Sequence, residues 1–158
     1  MSFDPPAGTR GARVPRSSGP VSKWMGRRMH NQHRRKGYKF MGMDVLFLTT
    51  IGRKTGERRE TALSWFADGQ DAWIIVASVG GGESNPAWYY NIAAHPEQVS
   101  IELPERRLGV TPEQLEGTRR QEAWKRIVQA QPRYAKYQEK TERLLPVIRL
   151  VAADQSTA

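Results

Sequence analysis

Met43-Asp44-Val45-Leu46-Phe47-Leu48-Thr49-Thr50-Ile51 runs directly into Gly52-Arg53-Lys54-Thr55-Gly56, and the basic pair Arg58-Arg59 then opens a second run that ends near Phe66. The first segment is a mostly apolar strand and the second a more polar one, joined by a short basic turn. Asp68-Gly69 marks another hairpin turn, and beyond it Ala72 to Ser78 is apolar and β-branched, a third strand. Gly52 and Gly56 let the first turn fold tightly and expose N–H groups. Thr55 adds a hydroxyl, and Arg53, Lys54 and Arg59 add charge suited to phosphate or carboxylate. The spacing is not that of a P-loop and no helix pattern follows; taken alone, these residues fit both an anion-gripping turn and an ordinary basic hairpin turn.

After Ser78 the pattern changes. Asn85-Pro86 reads as an N-cap followed by proline at the first helical position, and Ala87 to Ala94 as a short helix stopped by His95-Pro96. Gln98 to Leu103 alternates, with Val99, Ile101 and Leu103 on one face, and Leu108 to Leu115 is its expected antiparallel partner. Thr118 with Gln121 resembles a capping box ahead of a helical stripe of Trp124, Ile127 and Val128. Pro132 starts further helical turns carrying Tyr134 and Tyr137, and Val147 to Val151 is a final strand with Pro146 at its start. So many hairpins predict a mainly β protein with peripheral helices, a β+α class rather than a doubly wound α/β fold.

The chain of 158 residues is long enough to bury one core, expected over residues 41–152 with a short tail at 153–158. No apolar run approaches the roughly 18 residues of a membrane span, and no h-region opens the chain. There are no cysteines, which excludes disulfides, thiolate metal sites and a cysteine nucleophile and fits a reducing, cytoplasmic setting. The net charge of +9 is uneven: residues 1–40 hold ten Lys or Arg against the single acid Asp4, while the remainder is balanced. Residues 1–20 read as a disordered basic tail and 21–40 as a basic amphipathic region, with a helix expected from Ser22 to Gln32 carrying Trp24, Met25 and Met29. Such an arm fits a peripheral contact with anionic lipid at the inner face of the cell membrane, a lid on the core, or a solubilising tail; nucleic acid is not the expected partner.

The usual catalytic groupings are absent. His30 and His33 lie in the arm, His95 sits at a helix end, no histidine pair has metal spacing, and no base can be assigned to Ser64, Ser78 or Ser84. If the protein is an enzyme, a bound cofactor carries the reaction. The segment that would receive it is Ala77-Ser78-Val79-Gly80-Gly81-Gly82, leading into Asn85-Pro86-Ala87-Trp88-Tyr89-Tyr90-Asn91. Glycines let backbone approach a ligand, the helix start offers N–H groups to an anion, and the aromatics offer either a flat wall or core packing.

Thr49 to Gly56, Asp68-Gly69, Ala77-Ser78 with Gly80-Gly81, Asn85 to Tyr89 with Asn91, Ala94 with Pro96, Tyr134, Tyr137-Gln138, Thr141-Glu142-Arg143 and Pro146-Val147 occur together and in order. With this combination, over residues 40–150, the chain closely resembles the deazaflavin-dependent nitroreductase family of actinobacteria, whose members use coenzyme F420. The resemblance implies a split β-barrel related to FMN-binding oxidoreductases, and a homodimer in many members. It implies that Arg53, Lys54, Thr55 and Arg59 hold the phosphate and acidic tail of F420. Thr61 and Leu63 would follow the ring edge, Ala77, Ser78 and Val79 line the ring and ribityl chain, and Ala87, Trp88, Tyr89 and Asn91 close the cleft. Tyr134 and Tyr137 would face the substrate, with Ser78 or Tyr134 hydrogen-bonding the oxygen of the hydride acceptor.

Three positions depart from the family pattern. Val79 stands where members often carry a basic residue, Ala62 replaces a common proline, and Gln131 occupies the place of an additional tyrosine in the nitroimidazole-activating member. The expected reaction is therefore hydride transfer from reduced F420 to a quinone, enone or other activated double bond, ahead of nitro compounds. An FMN-dependent split-barrel reductase and a non-catalytic F420 carrier are the alternatives, and no metal is expected.

Overall fold

Every strand pairing in the computed structural model, which describes residues 39–40 and 43–153, is antiparallel. Strand β2 (Met43–Ile51) has β3 (Arg58–Ser64) beside it in the register Val45↔Ser64 to Ile51↔Arg58, and β6 (Ser100–Leu103) in the register Phe47↔Glu102 to Thr49↔Ser100. The two-residue β1 (Lys39–Phe40) folds back on the start of β2. Strand β7 (Arg106–Gln114) carries the sheet round: its first half pairs with β6 and its second half with β8 (Val147–Ala152). Beyond β8 lie β5 (Ala72–Val76) and the short β4 (Phe66–Ala67). The result is a curled antiparallel sheet of split-barrel type, as the hairpin-rich sequence predicts.

Because side chains alternate across a strand, β5 and β8 feed two cores at once. Trp73, Ile75, Ile148 and Leu150 join Leu46, Leu48, Ile101 and Val110 in one cluster. Ile74, Val76 and Val147 join Leu115, Ala123, Ile127 and Tyr134 in the other. Helix α1 (Ala87–Ala94) enters the first cluster through Trp88, Tyr89 and Ile92. Helices α2 (Gly117–Ala130) and α3 (Arg133–Glu139) cover the second. Burial on both faces explains why Ala72 to Val76 reads as an unbroken apolar run rather than an alternating one. An apolar groove of about 240 Å³ lies between α2 and β4–β5, lined by Phe66, Ile74, Ala123 and Ile127 among others, and contains none of the expected site residues.

Several local expectations are corrected. The run from Arg58 to Phe66 is broken at Trp65, whose N–H bonds to Asp44 O at 3.2 Å, so β3 and β4 are separate. Asn85 does not cap α1: the cap position is Pro86, without a side-chain bond, and the Asn85 amide is used elsewhere. The capping box at Thr118 does not form either, since α2 begins after Glu116 with no side-chain cap. Tertiary partners outcompeted the local bonds in the first case. The expected helix at Ser22 to Gln32 and the tail at 1–20 lie outside the described residues. No helix among the described residues is long and apolar enough to cross a membrane.

The Asp68 turn is fastened at its side chain. Arg149 of β8 donates Nε–H to Asp68 Oδ2 at 2.6 Å, and Arg126 of α2, largely exposed, reaches Oδ1 at 3.4 Å. The Arg149 hydrogen bond holds the Asp68 carboxyl below its ordinary value against an opposing cost of burial. A depressed folded-state pKa stabilises the fold above the unfolded carboxylate pKa, and that stabilisation is lost as pH falls through the folded value. Asp68→Asn should therefore cost about 1 kcal/mol at pH 7. The gap to the parent protein should close below about pH 4, as read from urea melts across pH.

Candidate functional site

The basic turn is built by its own backbone. Gly52 N–H donates to Glu57 O at 2.7 Å and Gly56 N–H to Gly52 O at 2.8 Å, with Gly56 at φ 71°. A Cβ on Gly52 would stand 2.7 Å from Thr55 Oγ1, so a larger residue there would have to displace the Thr55 side chain. Thr55 Oγ1 accepts from Glu57 N–H at 3.2 Å and lies 3.5 Å from Arg59 Nη2, while Arg59 also pairs with Glu57 at 3.3 Å. Arg53, Lys54, Thr55 and Arg58 are exposed. The turn thus presents cations to solvent from a closed ring of hydrogen bonds.

Asn91 anchors this turn to α1. Its Oδ1 accepts the Arg53 N–H at 3.1 Å, and its Nδ2 donates to Thr50 Oγ1 at 3.3 Å. The Arg53 guanidinium then lies over the Tyr90 ring at 4.5 Å, a cation–π contact that aims the side chain across the start of the turn. Asn91 is buried, so its amide acts on the protein's own backbone.

The other end of α1 is fastened by Arg143. This side chain is 1% exposed, and all five guanidinium N–H groups are used. Nε donates to Gly82 O at 3.1 Å, Nη1 to Ala77 O at 2.9 Å and Asn85 Oδ1 at 2.6 Å, and Nη2 to Ser78 O at 3.0 Å and Gly82 O at 3.0 Å. No carboxylate among the described residues pairs with it, and burial pushes its pKa down while the Tyr90 hydroxyl nearby opposes that fall. Inside this ring of carbonyls Val79 adopts φ 46°, left-handed for a β-branched residue, a strain on the order of 1–3 kcal/mol. Charge-assisted bonds of roughly 1.5–3 kcal/mol each can offset both that strain and the desolvation of the cation, provided none is missing.

Helix α3 closes the same loop from behind. Gly81, at φ 84°, lies so close that a Cβ would be 2.6 Å from Tyr137 O and 3.0 Å from Lys140 Cβ. Gln138 Nε2 donates to Arg143 O at 2.8 Å and its Oε1 accepts from Leu145 N–H at 3.0 Å, fixing the segment that carries the arginine.

The expected site residues divide accordingly. Ser78 and Val79 are half-buried beside the loop's turn, Ala77 is fully buried at its start, and Ala87 is exposed at the start of α1. Thr61 and Leu63 are half-buried on β3. Trp88 and Tyr89 pack in the core, with Tyr89 Oη donating to Gln114 Oε1 at 2.6 Å. Tyr90, the third of the aromatics that the sequence offers as wall or core, is the partly open one, and it carries Arg53. Tyr137 is half-buried and meets Tyr134 edge-on at 5.4 Å. Tyr134 itself is buried against Phe66, and burial raises its pKa, so the phenol stays protonated. Arg143 carried no chemical signal beyond membership of the matching motif, because a lone arginine in a sequence gives no sign of burial, and Asn85 read only as a helix cap.

The sequence profile of the F420H(2)-dependent quinone reductase family matches residues 22–152. A Mycobacterium tuberculosis protein named F420H(2)-dependent quinone reductase is 35% identical over 144 residues, covering 81% of this chain and 95% of its own. A putative F420H(2)-dependent quinone reductase of the same organism is 32% identical, covering 66% of this chain and 86% of its own. Among solved structures, an F420-H2 dependent reductase is 38% identical with a TM-score of 0.60, over 67% of this chain and 92% of that one. A structure described as a domain-swapped dimer is 33% identical with a TM-score of 0.61, over 82% of this chain and 98% of that one.

Asn91→Ala should free the basic turn from α1, costing about 1–3 kcal/mol for the two buried bonds. Amide hydrogen exchange over residues 52–57 should accelerate more than over β5 or β8, which the mutation does not touch.

Proposed function

The chain belongs to the F420H(2)-dependent quinone reductase family and is an F420H2-dependent oxidoreductase, and we propose that α1 joins the two halves of its cofactor site. The observation that carries this reading is a pair of asparagines, one just before α1 and one within it: Asn85 meets Arg143 behind the Ser78 loop, and Asn91 grips the basic turn. Exposed Arg53 and Lys54 suit the phosphate and acidic tail of F420. The half-buried Ser78 loop, rich in backbone polar groups, suits the polar rim of a flat ring. The donor set therefore fits the cofactor.

Bound in its reduced form, F420 supplies a hydride. The residues around it bind and orient. Arg53, Lys54 and Arg59 neutralise the tail, Thr55 adds a hydroxyl, and Thr61 and Leu63 on β3 with Ala77 and Val79 border the ring. Trp88 and Tyr89 act from the core by holding α1 in place, and Asn91 by holding the turn. Ser78 donates its hydroxyl hydrogen to the quinone oxygen on which negative charge develops, and water supplies the proton that completes the hydroquinone. Tyr137 shapes the acceptor side with the protonated Tyr134 behind it. Enones and nitro compounds are further acceptors of the same chemistry.

Residues 1–38 hold most of the charge excess, and we read that arm as a peripheral contact with anionic membrane from the cytoplasmic side. A domain-swapped dimer among the similar structures supports reading this protein as a homodimer as well. Light scattering of the full chain reads the second point, and liposome pelleting before and after deletion of residues 1–20 the first.

The deciding experiment is a fluorescence titration with F420, with FMN as the control. Binding at micromolar concentration is expected for F420 alone, weakening with salt. Lys54→Ala and Arg53→Ala should each raise Kd about tenfold, or about 1.4 kcal/mol. Ser78→Ala should lower menadione turnover about tenfold or more while changing F420 affinity little. No binding by the unmodified protein would remove the cofactor assignment.

A further inference from the structure

Arg143 spends its whole donor set on neutral oxygens of one loop, which is unusual for a fully buried guanidinium. Across a trans peptide the C=O of one residue and the N–H of the next point in opposite directions, and no peptide here is cis. Turning the Ala77 and Ser78 carbonyls inward to Arg143 therefore turns the Ser78 and Val79 N–H groups outward, on the side away from the guanidinium. The backbone between them is in the right-handed helical region at Ser78, φ −84° and ψ −40°, and left-handed at Val79, φ 46°. A β-branched residue does not hold that φ by itself. The loop keeps it because Arg143 draws three carbonyls from one side and Gly81 lies flat against Tyr137 from the other.

We propose that Arg143 is a positioning residue for hydride transfer. Its five hydrogen bonds hold the Ala77–Asn85 loop in the strained form that presents the Ser78 hydroxyl and the outward N–H groups to the cofactor and acceptor. The proposal rests on the reading of this loop as a wall of the F420 site. Arg143 acts through the loop and touches neither cofactor nor acceptor. Its grip is directional, and a lysine, with charge but no planar fork, does not replace it: three donors on one nitrogen cannot reach four oxygens set around a guanidinium.

Two full-length variants test this, Arg143→Lys and Asn85→Ala, the second leaving the arginine in place but with one N–H unpaired. Without any cofactor, amide exchange over residues 77–85 should rise by about tenfold in Arg143→Lys and by less in Asn85→Ala, with β2 and β6 unchanged. With F420 bound, Kd should stay within about threefold, because the basic turn holds the tail, while kcat with menadione falls about tenfold in Arg143→Lys and less in Asn85→Ala. Parental exchange in the loop would overturn the proposal. So would faster exchange with unchanged kcat, which would make the contact structural only. If Arg143→Lys does not fold, the same two readings on Asn85→Ala decide the matter. Failure of the unmodified protein to bind F420 would sink the cofactor site, and the cofactor-free exchange would still judge the clamp.

Discussion

The arrangement of the site depends on the desolvated guanidinium of Arg143. A buried cation without a carboxylate is tolerated only if every N–H finds an oxygen, and here those oxygens belong to Ala77, Ser78, Gly82 and Asn85. Satisfying the arginine and shaping the loop are therefore the same event. The loop cannot relax Val79 out of its left-handed conformation without stranding donors in the core, and the arginine cannot leave without releasing the loop.

The constraint propagates along α1. Asn85, just before the helix, is fixed by the arginine, and Asn91, six residues on, fixes the basic turn between β2 and β3. Trp88 and Tyr89 between them, and Ile92 just beyond, are buried in the barrel cluster, so the helix is packed onto the sheet. Two loops that leave different strands are thereby held at a fixed separation by one short element with a buried face. That separation is the basis of the proposed cofactor site, since a flat ring and an anionic tail make different demands and sit far apart on one molecule.

Much of the fold was legible in the sequence. The strands near Met43–Ile51, Ala72–Val76 and Val147–Ala152 were visible as apolar runs, and Ala87–Ala94 as a helix, because these segments obey local periodicity and punctuation. The tight, basic turn at Gly52 to Gly56 was also legible, since glycine spacing and charge are properties of contiguous residues. One misreading has a clear cause. Asn85 looked like a cap because a sequence shows which bonds a residue can make locally and does not show which distant partner will claim it, and for the same reason it left Trp88 and Tyr89 open between wall and core.

The sequence by itself determined the hairpin order, the two glycine-rich segments and, through the combination of motifs, the family and its cofactor. Only the tertiary structure decided which of these residues stay open to solvent and which hold the frame. It turned Asn91 inward onto Arg53 and Thr50, left Tyr90 partly open beneath Arg53, buried Tyr134, and placed Arg143 behind Ser78 from 65 residues away. The physical reason is desolvation. Whether a polar side chain serves solvent, a ligand or the protein's own backbone depends on what surrounds it after the chain has closed, and that environment is assembled from segments remote in sequence.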